Sequence, residues 1–284
     1  MTPLLPLDRA GFFCGGIRSP HRIDHPEGVC VDPSDGALWC GGEGGQLYRV
    51  EPDGSAARQV ACTGGFILGV TFDSVRRRLY LCDLHHRCVW IYAPDGACLG
   101  RLDGRDGDES LRLPNSSVLS SDCRFLYVSD TRRAGGPGVW RFDLVTGAGT
   151  LWMRDPCVSA NGLALSPDGK KLYLVESHLP GVNCIPIRSD GSAGPKERFL
   201  LLPGDEPDGL AFSPSGDLWI SIYNPTRIYR CRMSDRRLEL VIADETTDVL
   251  HHATNIAFRG ADELFCANLG AWHLTRIRLD GLPP

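Results

Sequence analysis

The sequence has no apolar run approaching the roughly 18 residues that a membrane-spanning helix requires. It has no block of Lys or Arg, and its formal net charge is −5, so neither nucleic acid nor an acidic membrane is an expected partner. The opening MTPLLPLDRAGFF lacks a basic n-region and meets Asp8 and Arg9 early, which makes a poor signal peptide and leads to an expected cytoplasmic location. There is no G-x-S-x-G elbow, no H-E-x-x-H and no P-loop, which removes the commonest serine-hydrolase, zinc-protease and nucleotide-binding readings. Twelve cysteines are scattered without one C-x-x-C pair, so zinc-site spacing is missing. Most lie in apolar runs such as LWC, LYLC and LFC and read as small buried hydrophobes, with no disulfide required. The acidic stretch DGRDGDES lacks the Gly and the Glu of an EF-hand loop and reads as a solvated loop.

What is present is one phrase written six times. It appears as PEGVCVDPSDGALW, LGVTFDSVRRRLY, PNSSVLSSDCRFLY, ANGLALSPDGKKLY, PDGLAFSPSGDLW and TNIAFRGADELF. Each copy is a polar entry, an apolar run, a turn and a second apolar run. Turns such as Pro33-Ser34-Asp35-Gly36 and Pro167-Asp168-Gly169 have a mechanism: Pro presets φ and Gly accepts a positive φ. The residue before the first apolar run reads Glu27, Leu68, Asn115, Asn161, Asp208 and Asn255, at spacings of 41, 47, 46, 47 and 47 by subtraction. That period suits a four-stranded propeller blade. The 3.6-residue periodicity of a helical solenoid is missing. The expected fold is an all-β six-bladed β-propeller, with blades of four antiparallel strands around a central channel, filling residues 1–284 as a single domain. The sixth copy supplies three clear strands, so Ala10 to Arg18 is expected to provide the fourth and remove an exposed edge.

In a propeller the first strand of each blade lies beside the channel. The column of entry residues can therefore bring Glu27, Asn115, Asn161 and Asp208 to one point. Four oxygen donors carrying two negative charges suit a hard divalent cation. No Cys or His sits in the column, which argues against zinc or copper as the resident metal. Calcium is the first choice because it accepts carboxylate and amide oxygens in loose geometry; zinc, magnesium and manganese are kept as substitutes. Leu68 contributes no oxygen. A single Asp or Asn at a strand start is more often structural, and it is the repetition that favours a ligand set. Loops at the channel mouth add candidate substrate contacts: Asn115 itself, His86, His178, Tyr223, Trp272 and His273. Trp39, Trp90, Trp140 and Trp219 recur on apolar strands and read as packing between blades.

The phrases PEGV, LPNSSV, SANGLALSPDGKKLY, EPDGLAF and ATNIAF resemble the senescence-marker-protein (regucalcin), gluconolactonase and luciferin-regenerating-enzyme family of six-bladed propellers. The resemblance covers nearly the whole chain, and NGLALSPDGKKLY is its most specific piece. It implies one divalent cation held by Glu27, Asn161 and Asp208, with Asn115 as a fourth ligand or a substrate contact. It also implies lactone hydrolysis of a small-molecule substrate, with the carbonyl polarised by the metal and Asp208 as the catalytic base, in a protein expected to be a monomer. Many family members have Asn-Asp where this chain has Asn115-Ser116, and Leu68 makes the second copy atypical. Two other readings stay open: a phosphotriesterase-like hydrolase, and a non-hydrolytic calcium-binding or biosynthetic tailoring protein on the same fold.

Overall fold

Two apolar runs joined by a tight turn form an antiparallel pair, and each repeat adds two more strands outside it. In the computed structural model, which describes residues 1–283, this happens six times. The blades, each written from the channel outward, begin with Val29–Val31, Leu38–Gly41, Gln46–Val50 and Ala57–Cys62. The second is Ile67–Asp73, Arg78–Asp83, Cys88–Tyr92 and Cys98–Leu102; the third is Pro114–Leu119, Phe125–Asp130, Gly136–Asp143 and Gly149–Cys157. The fourth is Ala160–Leu165, Lys171–Glu176, Gly181–Pro186 and Glu197–Leu201; the fifth is Glu206–Phe212, Leu218–Asn224, Arg227–Cys231 and Leu238–Ala243. The sixth is Ala253–Arg259, Glu263–Asn268, His273–Arg278 and, from the other end of the chain, Ala10–Gly15. The expected closure is thus present, with Ala10 opposite Ile277 and Gly15 opposite His273. The only helix among the described residues is one 3-10 turn, Leu7–Arg9, and no helix is long and apolar enough to cross a membrane.

Burial peaks at the second strand of each blade and falls away toward the outer edge. Second strands such as Leu38–Gly41 are buried throughout, whereas the outer strand Ala57–Cys62 has no buried residue. Inner strands are covered on both faces by neighbouring blades, so their apolar runs are continuous rather than alternating. Trp39, Trp140 and Trp219 are fully buried between blades. Trp90 and Trp140 do more than pack: each indole N–H donates to a buried carboxylate, that of Asp83 (3.2 Å) and that of Asp130 (3.1 Å). All twelve cysteines are free, and only Cys62 and Cys98 are exposed. The acidic stretch 103–110 departs from the expected solvated loop. It forms a hairpin, Arg105–Asp106 against Glu109–Ser110, that Asp106 ties to the outer strand of the third blade through Leu151 N–H (3.0 Å) and Arg154.

Two features aim the entry column at the axis. The first is a bulge. In five blades the register slips at the column, between Ile67 and Val70, Pro114 and Ser117, Ala160 and Leu163, Pro207 and Leu210, and Ala253 and Ile256. Bulges re-aim side chains that a regular ladder would direct at a neighbouring sheet. The second is the glycine that follows the column residue. A methyl group on Gly28 would stand 2.6 Å from the Leu68 carbonyl oxygen, and one on Gly209 would stand 2.6 Å from that of Thr254. One on Gly162 would strike the Asp208 carbonyl and lie 2.8 Å from Gly209 Cα. First strands therefore meet backbone to backbone around the ring. In the third blade Ser116 takes the glycine's place, and its Oγ accepts the next blade's Leu163 N–H at 3.2 Å. At the closing seam three donors converge on the Glu27 carbonyl: Thr254 Oγ1 (2.9 Å), Asn255 Nδ2 (3.0 Å) and Asn255 N–H (3.2 Å).

Gly162→Ala and Gly209→Ala should each lose about 1–3 kcal/mol or more in denaturant unfolding, because the obstacle is backbone and cannot move aside cheaply. Gly11→Ala, with nothing within 4 Å of the added methyl, should change little. A Gly162→Ala protein as stable as the parent would remove this collar from the explanation of the ring.

Candidate metal centre and channel mouth

The four oxygen-bearing column residues are buried: Glu27 is 4%, Asn115 5%, Asn161 8% and Asp208 8% exposed. The structure joins the last two directly. Asn161 Nδ2 donates to Asp208 Oδ2 at 3.1 Å and to Ser177 Oγ at 3.2 Å. The Ser177 hydroxyl in turn donates to the Pro207 carbonyl at 2.7 Å. Both amide hydrogens of Asn161 are thereby used, and its Oδ1 has no partner. Asn115 Oδ1 and Asp208 Oδ1 are also buried without a hydrogen bond. A buried oxygen without a donor costs roughly 1–3 kcal/mol. Three such oxygens stand in one column.

The charges agree. Burial pushes the Asp208 carboxyl up to about 7; the Asn161 hydrogen bond opposes it, and the Glu206 charge adds a smaller push upward. Burial, then Asp208 and Glu43, raise Glu27 well above the usual carboxylate range. Two buried carboxylates that resist ionisation beside each other fit a divalent cation, which would supply the missing counter-charge. Among the described residues no three His, Cys, Asp or Glu side chains come together, so any such ion must rely on the Asn115 and Asn161 amide oxygens as well. Those are hard donors suited to calcium or magnesium. Asn255, the sixth of the column, spends its amide on the Glu27 carbonyl.

The candidate mouth residues are distributed unevenly. Tyr223 stacks on His252 (ring centroids 4.5 Å apart, 22° between planes), and His252 precedes Asn255 by three positions. Burial and then the Glu206, Asp208 and Glu27 charges raise the Tyr223 phenol, which keeps it a proton donor. Trp272 packs against His25, two residues before Glu27, and carries the Arg22 guanidinium over its ring at 4.8 Å. His178 is exposed and shares a hydrogen bond with Ser159 Oγ at 2.6 Å, two residues before Asn161. His86 is bound to the buried Asp83 at 2.9 Å. His273 is 3% exposed, hydrogen-bonded through Nε2 to the Val249 carbonyl and stacked under Phe12, with its ring committed on both sides.

A second column escaped the sequence reading. Asp83, Asp130, Glu176 and Asn268 end the second strands of four blades and are at most 1% exposed. Their side-chain oxygens accept the N–H groups of Phe66 (3.4 Å), Leu113 (2.8 Å), Val158 (3.0 Å) and His251 (2.9 Å). These amides lie two to four residues before the entry column of the same blade. The second column therefore holds the loops that present the first. Its signal was legible as the polar ends of LCD, VSD, VES and CAN.

With the geometry in place, the chain can be compared with known proteins. Residues 150–267 match the SMP-30/Gluconolactonase/LRE-like region. That stretch includes Asn161, Asp208 and Asn255, and the resemblance drawn from the motifs is borne out. A gluconolactonase from Xanthomonas campestris superposes with a TM-score of 0.78 at 21% identity, over 95% of this chain and 89% of that one. A luciferin-regenerating enzyme gives 0.72 at 17% identity over 94% and 95%, and a streptogramin B lyase gives 0.64 at 13% over 94% and 96%. At such identities the likeness establishes the fold. No curated protein matches the sequence.

The Asp208 carboxyl fixes a pH dependence in metal-free protein. An aspartic acid in the unfolded chain titrates near 3.8, and Asp208 near 7. Between those values the native state holds a proton that the unfolded state has released, so this contribution to stability is lost as pH rises through 7. In chelator, the thermal midpoint should fall between pH 5 and pH 8, and Asp208→Asn should flatten that fall. A difference between wild type and Asp208→Asn that does not vary with pH would contradict the assignment.

Proposed function

We propose that the chain is a divalent-metal-dependent lactonase that opens a sugar lactone or related cyclic ester, with calcium as the first-choice ion. The observation that carries this reading is the buried column itself: two carboxylates resisting ionisation, and three buried oxygens without donors at equivalent positions of neighbouring blades. Glu27, Asn115, Asn161 and Asp208 would hold the ion, which when bound supplies Lewis-acid polarisation of an ester carbonyl.

The remaining work falls to the chain's own groups. Asp208 Oδ2 is fixed by the Asn161 amide and Oδ1 is open, so the carboxylate that would help hold the ion would also take the proton of a water beside it. Its burial keeps that oxygen from being satisfied by bulk solvent. Ser177 accepts one amide hydrogen of Asn161 and so fixes which end of that amide is left unpaired, its Oδ1. The Tyr223–His252 stack provides a flat wall against which a sugar ring can lie, and the Tyr223 phenol is a donor for a ring hydroxyl. The family match and the gluconolactonase-like fold support the same reaction class.

The test is a panel of lactones and phosphotriesters assayed with and without chelator. Protein purified without chelator should carry about one divalent ion per chain. Lactone hydrolysis should vanish with the ion and return on adding it. Asp208→Asn should lower kcat by at least about a hundredfold while circular dichroism stays unchanged. Full activity in metal-free protein would sink the proposal, and turnover of phosphotriesters alone would redirect it to that substrate class.

A further inference from the structure

Beyond the entry column, along the first strands and on the side away from Tyr223 and Trp272, lies a cavity of about 410 Å³. Its wall is made of short consecutive runs from all six first strands, 29–31, 69–72, 116–118, 163–165, 210–212 and 255–258. Consecutive lining residues mean that strand edges, and not one face of a sheet, form the wall. Each sheet ends on its first strand, so the inner edge of that strand has no strand partner. Some of its groups are met by the neighbouring first strand, as Leu163 N–H is by Ser116 Oγ, Asn255 N–H by the Glu27 carbonyl and the Ser117 carbonyl by Thr71 Oγ1; the others are left to water or a ligand. The lining also includes the Thr71 and Ser117 hydroxyls, 2.8 Å apart, with Thr71 Oγ1 also 2.9 Å from the Ser117 carbonyl oxygen. A volume of that size takes on the order of ten waters. The cavity starts at Gly69, Ser116 and Asn255, at the level of the metal-ligand candidates, and ends at half-buried Val31, Phe72 and Phe212 beside the turns of the opposite face.

We infer that this rear cavity is a water path that serves the Glu27–Asp208 site from the face opposite the substrate mouth. The inference rests on the hydrolase reading for its chemistry. Ester hydrolysis adds one water to the carbonyl carbon, breaks the ring C–O bond, gives the leaving alkoxide a proton and releases a second proton as the new acid ionises. A substrate seated at the mouth, beside Tyr223, blocks it when that water and that proton must move. A rear path lets the site take in water and shed a proton without releasing the product. The free strand edges and the Thr71–Ser117 pair supply the donors and acceptors such a path needs.

The experiment replaces both hydroxyl residues with larger apolar ones, Thr71→Leu with Ser117→Leu, and reads two quantities. The first is amide hydrogen exchange by NMR, which does not depend on catalysis. In wild type, first-strand amides facing the cavity should exchange at least about tenfold faster than the ladder amides beside them, and the double variant should slow them. The second is lactone turnover, where kcat should fall about tenfold with KM and the thermal midpoint nearly unchanged. Should the double variant not fold, Ala211→Leu on the opposite wall carries the same test. Cavity amides as protected as ladder amides in wild type would overturn the water path. Slowed exchange with kcat unchanged would overturn its role in turnover. If wild type opens no lactone, the proposed function fails, and the exchange measurement alone decides whether the path is wet.

Discussion

Six strands can surround one axis only if each allows the next to approach to backbone distance. That constraint governs much of this molecule. It requires Gly28, Gly69, Gly162 and Gly209 to lack a side chain where the neighbouring carbonyl passes, and it makes Ser116 bind the next strand where glycine is replaced. The bulge that accompanies the close approach turns the preceding residue toward the axis. The site is therefore a by-product of ring closure: the residue that cannot face a neighbouring blade faces the channel.

What stands there is electrostatically unfinished. Asp208 and Glu27 are buried beside each other with too few donors, and the Asn161 amide is oriented by Ser177 so that its oxygen adds to the concentration of negative potential. Proteins accept such local cost where a ligand relieves it. Asp83, Asp130, Glu176 and Asn268 show the contrasting case. They are equally buried, yet each spends its oxygens on loop amides, and the first three also on neighbouring side chains such as His86, Trp140 and Lys196. Two columns of polar residues recur with nearly the same period; one is saturated, and in the other three oxygens are left open.

This difference marks the limit of what a sequence reader can extract. Blade number, the closing strand and the entry column were all visible in the repeated phrases, because turn chemistry and strand length are local. The second column was visible as letters but not as a role, since nothing in VSD or VES says that the acid turns back to the Leu113 or Val158 amide. His86 and His273 illustrate the same limit among the mouth candidates: one is bound to Asp83, the other lies under Phe12, and both outcomes depend on partners distant from the motif. The hairpin at 105–110 formed because Asp106 found the Leu151 amide across a gap of 45 positions, a contact that no window of the sequence displays.

The strand Ala10–Gly15 closes the sixth blade against His273–Arg278, so residues near opposite ends of the chain are laid side by side. Synthesis runs from one end to the other. The first strand made must wait, unpaired, until nearly the whole chain has followed it. The seam between Asn255 and Glu27 closes under the same condition, because its partners are 228 positions apart. Five blades can assemble in order as they emerge, yet the channel acquires its full set of oxygens only when the ring is shut. In this architecture the column is also a timestamp: its completion reports that the last blade has found the first.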